Sequence, residues 1–549
     1  MQDFKKSCIY QIYPKSFNDS DHDGLGDIMG ITKKLDYLKL LGIDYIWSTP
    51  FFTSPQNDNG YDVADYRNID PIYGTMEQLE NLIHEAQKRE LGLMLDMVFN
   101  HTSTEHEWFK KAMAGDLYYK DFYIFKDGKP DGSAPTNWQS KFGGSAWEYI
   151  PVYNQYYLHL FDQTQADLNW ENPNVRKELK EILKFWIEKG IKGFRFDVIN
   201  LISKPEIYED DLEGDGRRLY TDGHKIHEYL KEINQDCGLY DNGMLTVGEM
   251  SSTTLEHCLR YSNPKEKELS MCFNFHHLKV DYKNQQKWEL QDCDFKNLKD
   301  ILNHWQIGME KGDGWNAVFW CNHDQPRIVS RFGDDKNYHQ ESAKMLATMI
   351  HFLRGTPYVF QGEEIGMTNA YFEQIDQYRD VESLNIYHIL KKQGKSERDI
   401  LHILNERSRD NSRTPMQWND SINAGFTQGN PWIGTTLNYL EINVEKNLQE
   451  ANSIFFYYQR LIQLRKELDC IAYGSYNPLF DEHKAVFAYQ RCYKDESLIV
   501  VNNFYGEETF VEFDEVPDGY HYLIGNYEER SIEQSIILKP YETLVFVKR

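Results

Sequence analysis

The stretch LGLMLDMVFNH, residues 91–101, is apolar almost without a break until Asp96, and it ends in Asn100 and His101. A strand with one wet face alternates apolar and polar residues. A continuous run of this length predicts a strand covered on both faces, as parallel sheets flanked by helices require. Its polar residues gather at the C-terminal end, the end at which parallel barrels carry their chemistry.

Seven more runs of this kind occur: CIYQIYP (8–14), IDYIWSTP (43–50), KGFRFDVI (192–199), MLTVGEM (244–250), LSMCFNF (269–275), AVFWCNHD (317–324) and TPYVFQGEE (356–364). Between them lie segments such as ITKKLDYLKLLG and TMEQLENLIHEAQKREL, whose apolar residues recur at helical spacing. Eight-fold strand and helix alternation predicts an α/β fold of the (β/α)8 TIM barrel type, spanning 1–101 and 171–476. About ninety residues separate the third and fourth runs. The stretch 102–170, poor in helical patterns, is therefore read as a loop-rich inserted domain. Beyond 476 short alternating strands (AVFAYQRCY, SLIVVNNF, TFVEF, TLVFVKR) predict an antiparallel β-sandwich over 477–549.

The strand ends carry Asp96, Asn100, His101, Arg195, Asp197, Glu249, His323 and Asp324. Each alone has a structural reading, as a helix cap or a satisfied core residue. Four carboxylates, two histidines and an arginine on one rim point instead to catalysis. No GxSxG elbow, HExxH, P-loop or GxGxxG fingerprint accompanies them, so acyl transfer, zinc hydrolysis and nucleotide chemistry lose support. Two carboxylates facing one acetal carbon are the equipment of a glycosidase. The general acid must hold its proton near neutral pH, so burial and neighbouring negative charge are expected to raise its pKa.

Composition narrows the partners. The chain has 549 residues, 60 basic and 86 acidic, and a net charge of −26, which argues against nucleic acid and anionic membranes. Aromatic residues make up 14%, with 12 Trp and 37 Tyr, which suits stacking on sugar rings. Eight scattered cysteines include no CxxC pair, and the N-terminal MQDFKKSCIYQIYP lacks an apolar signal core. These features predict reduced thiols, no membrane span and a soluble cytoplasmic protein; oligomeric state is not legible.

Residues 18–27, NDSDHDGLGD, place Asp19, Asp21, Asp23 and Gly24 at the first, third, fifth and sixth positions of an EF-hand loop, with the Leu25 carbonyl at the seventh. The twelfth position is Gly30, and a strand-like CIYQIYP precedes the loop. The stretch is read as a cation loop on another fold, with a solvated turn as the alternative.

DMVFNH, GFRFDVIN, VGEM and CNHDQPR resemble the four signature regions of glycoside hydrolase family 13, the α-amylase superfamily, and QADLN at 165–169 resembles its fifth. The resemblance runs over nearly the whole chain in order. It implies the barrel, insertion and sandwich above, with retention of anomeric configuration. It implies Asp197 as nucleophile, Glu249 as acid/base, Asp324 as transition-state stabiliser, Arg195 orienting the nucleophile and Asp96 as mainly structural. In NGYDVADY, Tyr61 and Asp62 resemble the stacking aromatic and hydroxyl-binding acid of the family's exo-glucosidases, and Arg413 of SRTPMQW resembles that acid's partner; His101 and His323 are expected on the same sugar. The loop resembles the structural calcium site of the oligo-1,6-glucosidase branch, with Asp19, Asp21, Asp23, the Leu25 carbonyl and Asp27 as ligands. No organic cofactor is implied.

Val198 after the nucleophile resembles branch members acting on bonds other than α-1,4. FNFHHLKVDYKNQQKW (273–288), with RRLYTD and WNAVFWCNHDQPRIVSRFG, resembles the phospho-α-glucosidases of that branch, which implies a sugar-phosphate substrate, trehalose 6-phosphate. Lys279, Lys283 and Lys287 follow the sixth strand, and a cationic cluster in so acidic a chain suits a phosphate. Lys279 and Lys287 are the expected contacts. Two readings stay open beside this one: a solvated lysine face on an oligo-1,6-glucosidase acting on isomaltose, and a non-catalytic transporter-associated relative.

Overall fold

The computed structural model describes residues 3–549. Each apolar run contains one parallel strand: β1 (Ile9–Ile12), β2 (Tyr45–Ser48), β3 (Gly92–Met97), β4 (Gly193–Phe196), β5 (Leu245–Glu249), β6 (Met271–Phe273), β7 (Ala317–Val318) and β8 (Thr356–Phe360). They hydrogen-bond in the order β6-β5-β4-β3-β2-β1-β8-β7, and a parallel bridge from Cys272 to Asn316 joins the two ends into a barrel. Every residue of β1, β2, β4, β6 and β8 is buried, because helices cover the outer face while side chains fill the inner one.

The helices start where the sequence supplies caps. Thr75 and Gln78 form a reciprocal capping box for Met76–Lys88, which buries Leu79, Leu82, Ile83 and Ala86 at helical spacing. Asn172 caps Pro173–Glu188, where the proline occupies the first turn and Trp186 donates its indole N–H to the Tyr66 carbonyl at 2.9 Å. These helices stand on either side of the insertion.

The insertion is more regular than a loop-rich reading anticipates. It holds helices Glu107–Met113 and Leu117–Lys120 and a three-stranded antiparallel sheet in the order Phe125–Lys126, Gln155–Leu158, Trp147–Ile150. The helices are short and are started by the His106 and Asp116 side chains, so they leave almost no periodic signal. Trp138, Trp147 and Leu158 pack with Leu201 and Tyr220 from the chain after β4, which ties the insertion to the rim.

After β8 come helices Val381–Lys392, Glu397–Arg407 and Ile454–Glu467 and the short turn Asp410–Arg413. The C-terminal strands begin at Ser475; five form an antiparallel sheet, and Thr509–Glu512 pairs with Ser535–Leu538 against it. Val486, Ala488, Ile499, Val501, Val511, Leu538, Leu544 and Phe546 fill the space between. Among the described residues no helix is long and apolar enough to cross a membrane.

Candidate active site

Strand register gathers the carboxylates. Arg195 on β4 pairs with Asp96 on β3 and Val247 on β5, so Asp197 and Glu249 emerge at the rim on either side of it. The buried Arg195 guanidinium donates from Nη1 to Asp96 at 2.6 Å and to Asp197 at 2.7 Å, and from Nη2 to Glu249. The other oxygen of Asp96 accepts from the Trp47 indole at 3.1 Å and the Tyr61 hydroxyl at 2.9 Å. Asp96 is thus committed to the frame, and burial lifts its carboxyl to about 7 against the pull of Arg195.

The contact between Arg195 and Glu249 bears on the expected general acid. One guanidinium therefore serves both carboxylates, Asp197 through Nη1 and Glu249 through Nη2.

Val198, immediately after Asp197, sits at φ 36°, in the left-handed region that β-branched residues avoid. Such strain costs on the order of 1–3 kcal/mol and persists where packing fixes it. Here Val198 is packed among the residues that join the insertion to the rim, and it turns the chain into the short helix Ile199–Leu201.

The opposite side of the site is built by β7, by the loop after β2 and by the turn Asp410–Arg413. Asp324 accepts from Arg413 at 2.7 Å and Arg409 at 3.4 Å. Burial pushes its carboxyl up, but the surrounding cations outweigh that and hold it well below the usual carboxylate range. Gln11 donates to His323 Nδ1 at 2.8 Å, which leaves the ring proton on Nε2, 3.5 Å from Asp324. Burial lowers His323 to about 3, so the ring is neutral, and it stacks on Tyr61 with centroids 5.1 Å apart. His101 accepts from Asn100 at Nδ1, so its Nε2–H is turned to the Tyr61 carbonyl at 3.1 Å. Asn100 is held in turn by Asp167 of QADLN, which pairs with the buried Lys204.

The expected pairing of Asp62 with Arg413 is not what the structure contains. Asp62 is wholly buried and accepts from Ser54, Asn57 and Asp58, closing the turn that precedes it. Asp58 takes the place at the cavity: Arg409 lies 3.3 Å from one oxygen, and Gln165 donates to the other at 3.1 Å. Burial lifts Asp58 to about 7 despite Arg409 and Arg413. Arg413 is given to Asp324, with Asp380 at 3.8 Å.

A cavity of about 660 Å³ brings together Asp58, Tyr61, His101, Asp197, Glu249 and Asp324. Its remaining wall is basic, with Lys141, Arg217, Lys279 and Lys287. Lys287 is ion-paired with Glu382 at 2.5 Å, so its charge is largely offset. Lys279 has no carboxylate within 4 Å among the described residues. Burial lowers its pKa, and Arg217 adds to the effect. The reading from sequence missed Asp58, Arg409, Lys141 and Arg217. Asp58 and Arg409 stand four residues before Asp62 and Arg413, just ahead of NGYDVADY and SRTPMQW, and Arg217 opens RRLYTD; nothing in the sequence marks Lys141.

In the acidic loop, carboxylate oxygens of Asp19, Asp21 and Asp27 lie within 4.8 Å of one another, and hard oxygen donors crowded in this way fit a cation such as calcium. Asp23 stands outside that group, with one oxygen accepting from the Leu25 N–H at 2.8 Å. A side chain at Gly24 (φ +98°) would collide with the Asn430 carbonyl, and one at Gly30 with the Asn18 carbonyl, which explains glycine in the EF-hand's glutamate position. Asp27 also caps helix Ile28–Lys33.

Two family comparisons match: the α-amylase catalytic domain over residues 11–474, and the α-amylase SusG C-terminal domain over 486–545. The trehalose-6-phosphate hydrolase of Bacillus subtilis (strain 168) is 55% identical over 548 residues, covering 99% of this chain and 98% of the relative. An oligo-1,6-glucosidase of Bacillus cereus is 48% identical over 556 residues, covering 99% of each. The crystal structure of Bacillus licheniformis trehalose-6-phosphate hydrolase superposes with a TM-score of 0.96 at 56% identity, covering 99% of both chains. With the barrel, its strand-end carboxylates and the C-terminal sandwich all accounted for, the chain belongs to the α-amylase family of glycoside hydrolases.

Proposed function

We propose that this enzyme is a cytoplasmic retaining α-glucosidase that hydrolyses trehalose 6-phosphate to glucose and glucose 6-phosphate. The observation that carries the substrate is Lys279, a cation with no carboxylate in ion-pair reach, on the wall of a cavity whose far side is acidic. The unphosphorylated glucose then stacks on Tyr61, its hydroxyls donating to Asp58 and accepting from Arg409, while the phosphate of the leaving glucose faces Lys279, with Lys287 shared between it and Glu382. The names of the relatives support the same reading.

Asp197 attacks the anomeric carbon as Glu249 gives its proton to the departing glycosidic oxygen, leaving a β-glucosyl ester on Asp197. Water then attacks the same carbon, Glu249 takes the water proton, and the ester bond breaks. Arg195 holds Asp197 in line, and Asp324, kept ionised by two arginines, opposes the positive charge that grows on the sugar ring. Asp19, Asp21 and Asp27, with Asp23 and the Leu25 carbonyl completing the set, are proposed to hold one structural calcium ion, which supplies cohesion and no chemistry.

Measuring kcat/KM of the purified enzyme for trehalose 6-phosphate, trehalose and isomaltose tests the reading. A preference for trehalose 6-phosphate is expected; a preference for isomaltose would replace it with an oligo-1,6-glucosidase.

A further inference from the structure

Lys141 and Arg217 come from different parts of the chain, yet a hydrogen-bonded seam draws them to the wall that carries Lys279. The indole of Trp138 donates to the Glu209 carbonyl at 3.0 Å, the Asn137 side chain and the Asp211 backbone exchange two bonds of 2.8 Å, and Gln139 N–H donates to the Asp215 carbonyl at 3.0 Å. Lys141 and Arg217 each follow that last pair by two residues. The turn carrying Lys141 is itself fixed: Lys141 N–H donates to Leu160, Ser140 N–H to Gly144, and Gly143 and Gly144 take left-handed φ of 96° and 82°.

The Lys141 ammonium donates to the Ser251 hydroxyl at 2.6 Å, two residues beyond Glu249. Among the described residues it has no carboxylate within 4 Å, and the only such acid on either Arg217 or Lys279 is Asp215, 3.0 Å from Arg217. A solvated basic face would spread such charges outward. Instead all three line the cavity that holds Asp197 and Glu249, in a chain of net charge −26.

We propose that Lys141 and Arg217 join Lys279 in gripping the phosphate of the leaving sugar, forming a three-cation cradle between the insertion and the barrel loops. The proposal rests on the trehalose 6-phosphate reading above. A forked guanidinium and two ammonium groups can contact all three free phosphate oxygens, which one lysine cannot. Burial brings Lys141 down to about 7, with Arg217 and Lys279 adding to it; cations crowded in this way gain from an anion among them.

The test uses Lys141→Gln, Arg217→Gln and Lys279→Gln, with Lys141→Arg as the charge-preserving control. The readout is kcat/KM for trehalose 6-phosphate divided by that for p-nitrophenyl α-glucoside, together with inhibition of the aryl glucoside reaction by glucose 6-phosphate. Each glutamine variant is expected to lower the ratio by about tenfold or more and to weaken glucose 6-phosphate inhibition similarly, with Lys141→Arg restoring most of both. Dividing by the aryl glucoside rate removes losses caused by poor folding. If Lys279→Gln lowers the ratio while Lys141→Gln and Arg217→Gln keep the wild-type value, the cradle is wrong and the substrate reading stands. If the wild-type enzyme has no preference for trehalose 6-phosphate over trehalose, the substrate reading fails, and the cradle with it.

Discussion

Replacing Asp58 and Asp62 separately distinguishes the two candidate sugar-binding acids. In Asp58→Asn the buried Arg409 keeps Asp380 at 2.5 Å and Asp324 at 3.4 Å, so no charge is orphaned and the fold should hold. What is lost is a carboxylate accepting sugar hydroxyls. Charge-assisted hydrogen bonds of this kind are worth about 1.5–3 kcal/mol, which corresponds to roughly a ten- to 150-fold fall in kcat/KM. In Asp62→Asn the opposite holds. Ser54 and Asp58 donate to one oxygen and Asn57 to the other, so an amide must turn its NH2 towards at least one donor. The cost, about 1–3 kcal/mol, falls on the turn and appears as a lower melting temperature.

Steady-state kinetics on p-nitrophenyl α-glucoside and a thermal melt on each variant decide the matter. The pH profile adds a second reading. The Asp58 carboxyl is lifted to about 7, so it takes up a proton as pH falls through that value and ceases to accept two hydroxyls as an anion. Wild-type kcat/KM should therefore drop below pH 7, and Asp58→Asn should lack that part of the drop. An Asp62→Asn enzyme with an unchanged melt and a collapsed kcat/KM, beside an unaffected Asp58→Asn, would refute the assignment.

Removing bound metal with chelator is expected to lower the melting temperature by mass action, since Asp19, Asp21 and Asp27 then face one another without a counter-charge; an unchanged melt would make the loop a turn only. NMR of the first sugar released from an α-glucoside is expected to show the α anomer, and the β anomer would exclude the ester at Asp197. Burial lifts Glu363 to about 7, with the Tyr458 hydroxyl on one oxygen and no partner on the other. Its unfolded value lies near 4.3, so the stability it contributes is full below that pH and is lost as pH rises through 7; Glu363→Gln is expected to match wild type at pH 4 and exceed it by up to about 3 kcal/mol at pH 8. A melt that moves equally at both pH values would show that Glu363 does not titrate in this window.

The barrel was legible because its strands are buried on both faces and therefore read as unbroken apolar runs. Even β7, with only Ala317 and Val318 in regular pairing, lies inside such a run. The helices of the insertion were not legible. Glu107–Met113 and Leu117–Lys120 are each about one or two turns long, too short for periodicity to accumulate, and their starts rest on single side-chain caps. Two helices between β8 and the sandwich are faint in the sequence for a different reason. Val381–Lys392 and Glu397–Arg407 bury little of their surface in the barrel and pack mainly with each other, so they carry no strand boundary to count from.

The same contrast divides the site. Asp197 and Glu249 were readable because a strand end fixes both the position and the direction of its last side chains, and β-register then brings neighbours together without further information. Asp58 and Arg409 lie on turns, where four residues of slip leaves the motif recognisable and the chemistry misassigned. Lys141, Arg217 and Lys279 are more than sixty residues apart in sequence and share no element; the seam between Asn137–Gln139 and Glu209–Asp215 brings the first two together, on the wall that Lys279 reaches from the chain after β6. That seam belongs to the insertion and to a barrel loop, neither of which sets the register of Arg195 with Asp96. Charge on this wall can therefore change while the carboxylates stay where they are, so the leaving-group side of the site can vary separately from its bond-breaking machinery.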